Sequence, residues 1–210
     1  MTTKFLEIIS KPIFKLLGAV IIGGGIGLGI KKLKNNYDKF IDEESLKLKS
    51  EILKNLICEI TILDTNIWML GPKHEFLFDF IFLFCEKNNR QVYFPSFQLQ
   101  EFQKPKNDDD LFLKTLAKKR LEKYQRKGLI KFEHYDSKFS YVDDSLIYYI
   151  IDRSKIKNSI SFITEDRELR IKALALEEIK DTLSVHDKIS LYNFYKKFTE
   201  LGSTENSKKT

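Results

Sequence analysis

Four acidic positions in this chain are spaced to do chemistry together: Asp64, Glu101, Asp143 or Asp144, and Asp166. Asp64 closes the apolar run Ile60–Leu63, and Asp166 follows the apolar run Ile160–Thr164. Glu101 and the Asp143-Asp144 pair stand on helical stretches able to pack beside those runs. Carboxylates gathered at a buried edge repel one another and need a counter-charge. A hard divalent cation such as Mg²⁺ or Mn²⁺ supplies it, through oxygen ligands and retained waters. Such an ion acidifies a bound water and neutralises charge building on a phosphate, so the acids point to metal-assisted phosphodiester cleavage. His74, His134 and His186 are scattered, and Cys58 and Cys85 lie in apolar surroundings without a CxxC. Zinc chemistry and covalent catalysis therefore find no support. Asn66 stands two residues after Asp64, where an aspartyl-phosphate enzyme would want a second acid.

Helical spacing weighs Asp143 against Asp144. Residues three, four, seven and eight places on share a helix face. From Asp143 these are Leu146, Ile147, Ile150 and Ile151, all apolar; from Asp144 they include Tyr148 and Asp152. Asp143 is aligned with the core stripe, although either acid would serve as an ordinary helix cap.

The elements that must position these acids alternate along the chain. Strands are predicted at 60–63, 91–94, 129–132, 160–164 and 182–185. Helices are predicted at 72–86, from Pro95-Ser96, at 111–127, 143–153, 169–176 and 188–201. Strands separated by helices imply βαβ units and a mainly parallel sheet covered on both faces. Ligands of such sheets bind beyond the carboxyl ends of the strands, where Asp64 and Asp166 stand. The 210 residues suffice for one domain plus an appendage, and the balance of 36 basic against 30 acidic residues gives a mild net charge of +6. The densest basic stretch offers Lys114, Lys118, Lys119, Arg120 and Lys123 to a phosphate backbone, and Tyr124, Tyr135, Tyr141 and Tyr148 to bases.

Residues 13–30 are almost wholly apolar, with Lys15 as their only charge. At about 1.5 Å per residue a helix of that length just reaches across a bilayer core. Lys11 and Lys15 lie toward one end and Lys31, Lys32 and Lys34 toward the other, suited to snorkelling. Glycines Gly23, Gly24, Gly25, Gly27 and Gly29 fit a membrane helix better than a soluble one, and no phosphate-loop register is present. The expected organisation is an anchor at 1–30, a helical linker at 31–58, a catalytic domain at 59–201 and a disordered tail at 202–210. The expected localisation is a single-pass membrane protein with its domain in the cytoplasm.

The acidic segments also resemble a known family. Leu63-Asp64-Thr65-Asn66 is similar to the opening DTN motif of PIN domains, the metal-dependent ribonuclease family. The stretch from Phe94-Pro95-Ser96 to Glu101-Phe102 resembles the second motif, and Asp143-Asp144-Ser145-Leu146-Ile147 the third. Phe162-Ile163-Thr164-Glu165-Asp166 and the helix after it resemble the fourth, with Glu165 a departure at its middle position. The resemblance covers roughly residues 59–200. It implies a three-layer α/β/α fold, cleavage of single-stranded RNA, and a Mg²⁺ or Mn²⁺ site. Asp64, Glu101, Asp143 and Asp166 would be its ligands or their immediate support; the choice between Asp143 and Asp144 stays open. Asn66 and Thr164 would orient acids and water. A homo-oligomer and an inhibitory protein partner are further expectations. The alternative is a catalytically weak PIN-like module that binds RNA or protein at the membrane.

Overall fold

The computed structural model describes residues 23–38, 43–136, 139–156, 159–176 and 179–207. In chain order, α1 (Gly23–Asp38) and α2 (Glu43–Glu51) lead through a π-turn at Ile52–Leu56 into β1 (Ile60–Leu63). A single turn, α3 (Thr65–Trp68), and a 3₁₀ turn at Pro72–His74 precede α4 (Glu75–Lys87). Next come β2 (Val92–Pro95), a 3₁₀ helix at Ser96–Phe102, α5 (Asp108–Arg126) and β3 (Ile130–Glu133). The chain closes with α6 (Val142–Ser154), β4 (Ile160–Ile163), α7 (Arg167–Leu174), β5 (Leu183–His186) and α8 (Lys188–Ser207).

The five strands form one sheet in the order β3-β2-β1-β4-β5, and every pair is parallel. β1 is central and all four of its residues are buried, which suits a short run that meets neither water nor a polar face. Its side chains alternate between two cores. Leu63 joins Trp68, the phenylalanines of α4, and Leu191 and Phe198 of α8. Ile60 and Ile62 join Leu146, Tyr149 and Ile150 of α6 and Leu169 and Ala173 of α7. Helices cover both faces, giving the expected three layers.

The expected linker is helical but split in two, and it is packed on the domain. Leu33, Tyr37, Leu48, Ile52, Leu56 and Ile57 are buried in the same core as α4 and α8. Tyr37 hydrogen-bonds Asn88 at the end of α4, and Lys87 pairs with Asp38 at 2.6 Å. Most of the apolar stretch 13–30 lies outside the described residues. Among the described residues no helix is long and apolar enough to cross a membrane. At the other end α8 runs on to Ser207, past the expected start of a tail at 202, and residues 208–210 lie outside the described residues.

Two corrections fall on α5. It begins at Asp108, inside the expected loop, because Asn107 Oδ1 accepts from Asp110 N at 2.8 Å and three acids occupy the positive end of the helix dipole. Its basic run is also not a free stripe. Arg120 is 1% exposed, pairs with Glu75 at 2.8 Å and donates to the carbonyls of Trp68 and Leu70. Lys123 pairs with Asp79 at 3.1 Å, and Lys114 with Asp110 at 3.0 Å and the Lys104 carbonyl at 2.8 Å. Tyr124, offered above to bases, is buried, stacked on Phe82 at 3.6 Å and bonded to Asp79. Arg120 and Lys123 compensate acids on α4 and open carbonyls at and after the end of α3, and Lys114 ties α5 to the loop before it, so all three are internal fasteners. Lys119 is exposed and Lys118 half-buried. Replacing Arg120 by Met is expected to cost about 3–5 kcal/mol, because Glu75 and the carbonyls it serves lose their partner. Urea denaturation of the two chains measures the difference.

Candidate active site

The sheet order places a switch between β1 and β4. The chain winds outward from β1 through β2 to β3, then returns to the other side of β1 for β4 and β5. A crevice opens at the carboxyl ends of strands at such a point. Leu63 pairs with Ile163 at the last rung, and Asp64 N donates to Ile163 O at 3.0 Å. That register sets Asp64 opposite Thr164.

Asp64 is 4% exposed. Its Oδ1 accepts from Thr65 N at 2.6 Å, and its Oδ2 accepts from Asn66 Nδ2 and Thr164 Oγ1, both at 2.7 Å. Thr164 Oγ1 in turn accepts from Asp166 N at 2.9 Å, and Asn66 Oδ1 from Glu165 N at 3.0 Å. One carboxylate thus ties the ends of two strands together. The ends are held from below as well. The Leu63 carbonyl accepts from both Trp68 Nε1 and Gln98 Nε2 at 3.2 Å. Trp68 packs beneath the site, and Gln98 fixes the 3₁₀ helix that carries Glu101.

The four acids share one electrostatic environment. Burial pushes Asp64 up from 3.8 to about 7, against the Thr164 and Thr65 hydrogen bonds, and the charges of Glu101 and Asp143 push the same way. Burial and then Asp143 raise Glu101, opposed by the Thr65 hydroxyl and Lys114. Burial and then Asp166 raise Asp143. Asp166 is half-buried and its Oδ1 caps α7 by accepting from Leu169 N at 2.9 Å. Asp144 faces the other way, bonded to Lys172 at 3.1 Å with its side chain 44% exposed. Of the pair, Asp143 is the one turned toward the other acids.

Among the described residues no three His, Cys, Asp or Glu side chains form a ready-made metal cage. The donor set nevertheless fits a hard cation of the Mg²⁺ or Mn²⁺ kind. Every acid offers oxygen, Asp64 is buried without a cationic partner, and Gln98 Oε1 is buried beside β1 without a hydrogen bond. Mg²⁺ commonly takes one or two carboxylates and keeps several waters, so a closed cage is not required.

Sequence reasoning missed Gln98 and the tethering part of Glu165. Gln98 gave little signal, because Gln100 and Glu101 follow it in the same short helix and look equally polar. Glu165 gave no signal beyond its departure from the fourth motif.

A parallel sheet covered on both faces, with a buried acid at its switch point, defines a doubly wound α/β protein. The sequence profile of the PIN domain matches residues 61–179, more than half of the 210 residues, and the chain belongs to the PIN domain family. Members are generally nucleases and typically use divalent metals such as Mg²⁺. Neither a search of curated proteins nor one of solved structures returned a match.

The raised acids carry a signed pH dependence. A carboxyl with a higher affinity for protons in the folded state stabilises that state when protonated. In metal-free buffer, stability is therefore expected to fall as pH climbs from about 4 to about 7, by something on the order of 4 kcal/mol for Asp64. Adding Mn²⁺ should raise the thermal midpoint more at pH 8 than at pH 5, since the ion binds the ionised form. Scans with EDTA and with Mn²⁺ at both pH values test this; equal shifts would contradict it.

Proposed function

We propose that this chain is a metal-dependent endoribonuclease that hydrolyses the phosphodiesters of single-stranded RNA, held at a membrane through residues 13–30. The observation that supports it most is the Asp64–Thr164–Asp166 link at the β1/β4 switch, with Glu101 and Asp143 in the same field. Asp64, Glu101, Asp143 and Asp166 would hold Mg²⁺ or Mn²⁺. When bound, such an ion neutralises charge developing on the phosphate and acidifies a coordinated water.

The chain's own residues have separate tasks. Thr164 and Asn66 fix the Asp64 carboxylate, so its charge costs no reorganisation when substrate arrives. In hydrolysis a water oxygen bonds to phosphorus as the bond to the leaving oxygen breaks. The proton released by the water passes to a carboxylate of the cluster, and the leaving oxygen takes one from solvent. Lys119 and Lys118 remain available to the RNA backbone from the basic stretch.

Asp64→Asn combined with Asp166→Asn is expected to abolish Mn²⁺-dependent cleavage of single-stranded RNA by the full chain, a loss of at least about 10³-fold given the charge stabilisation removed. Retained cleavage would reject the assignment. A chain that binds RNA but shows no cleavage and no calorimetric uptake of Mn²⁺ would instead be the catalytically weak binding module.

Membrane attachment is supported by the composition of residues 13–30 and by the lysines on either side, and the cytoplasmic placement of the domain follows from the proposed RNA chemistry. The full-length chain is expected in the carbonate-resistant membrane pellet after fractionation. Recovery in the soluble fraction would remove this part of the proposal and leave the nuclease part untouched.

A further inference from the structure

Glu165 stands in the loop after β4, between two residues the nuclease reading already uses. Its backbone N–H donates to Asn66 Oδ1 at 3.0 Å. That bond and the Asp64 carboxylate together set which way the Asn66 amide faces. With its oxygen committed to Glu165, Asn66 presents Nδ2 to Asp64 Oδ2 at 2.7 Å and to Thr164 Oγ1 at 3.3 Å. The Glu165 side chain points to a different element. Oε1 accepts from Lys188 N at 2.7 Å, and Oε2 pairs with Lys188 Nζ at 3.0 Å. Lys188 is the first residue of α8, and Asp187 Oδ1 caps the same helix by accepting from Ser190 N at 2.8 Å. A second tie lies alongside, Arg170 to Asp187 at 2.7 Å. The loop that carries Thr164 and Asp166 is therefore fastened to a helix buried in the opposite core from α7.

We propose that Glu165 is a positioning residue for cleavage: its carboxylate anchors the loop on the start of α8, and its backbone N–H thereby holds Asn66 in the orientation that fixes Asp64. The acid's length matters. An Asn or Asp at this position is one methylene shorter and falls about 1.5 Å short of Lys188 N. Glu165 touches neither substrate nor reacting atoms. It acts through Asn66, so its loss disturbs the geometry of the charged site more than the binding of RNA. The proposal rests on the nuclease reading for its kinetic consequence and on the hydrogen bonds alone for its structural one.

The experiment compares Glu165→Ala and Glu165→Gln in the full chain by Mn²⁺-dependent cleavage kinetics and by the ¹H–¹⁵N signals of the Asn66 carboxamide. Glu165→Ala is expected to lower kcat about ten-fold with KM within two-fold, the pattern of lost transition-state positioning, and to move the Asn66 signals. Glu165→Gln keeps an oxygen for Lys188 N and is expected to recover kcat to within three-fold, with the Asn66 signals in place. Unchanged kcat and unmoved Asn66 signals in Glu165→Ala would overturn the proposal, as would equal impairment in Ala and Gln. If the unsubstituted chain cleaves no RNA, the nuclease reading fails, and the Asn66 signals alone decide whether Glu165 positions the loop.

Discussion

A carboxylate with almost no access to water is costly to ionise, and most of the architecture around Asp64 can be understood as an answer to that cost. Three donors reach its two oxygens, and all three are neutral. They favour the charged form without cancelling the charge, which is why the group still sits near 7 and not at the ordinary value of 3.8. The arrangement depends on β1 and β4 lying side by side in register. Thr164 reaches Asp64 only because Leu63 and Ile163 share a rung. Any slip of that pair would turn the hydroxyl away and leave the acid bare.

The strands that deliver this geometry were legible because they are short, apolar and ended by polar residues. Ile60–Leu63 and Ile160–Ile163 fall where their hydrophobic runs predict, and Asp64 and Asp166 follow from them. Asp144 pairs with Lys172, while the charge of Asp143 acts on Asp64 and Glu101. What was not legible was partnership. The run from Lys114 to Lys123 looks like a solvated basic face, because a sequence does not say that Glu75 and Asp79, one helical turn apart on α4, lie opposite Arg120 and Lys123. Gln98 escaped for a related reason: its value lies in a carbonyl on another element, and backbone acceptors carry no letter in a sequence.

The positive charge of the chain is correspondingly less available than its count suggests. Arg120 and Lys114 are buried, and Lys123, Lys172 and Arg170 are bound to acids. On α5 six basic residues face four acidic ones, so this helix carries only part of the net charge of +6. Attraction of a polyanion to such a surface is diffuse and salt-sensitive.

Both cysteines of the chain are buried. Exclusion from water pushes Cys58 up to about 11 and Cys85 to about 12, so neither supplies thiolate at neutral pH. Burial and the lack of thiolate both disfavour reaction of the native cysteines with maleimides in the folded protein. A single cysteine engineered at an exposed rim position such as Tyr141, which is 74% exposed, would give one addressable handle for a fluorophore or spin label beside the crevice, with no need to strip the native sulfurs first.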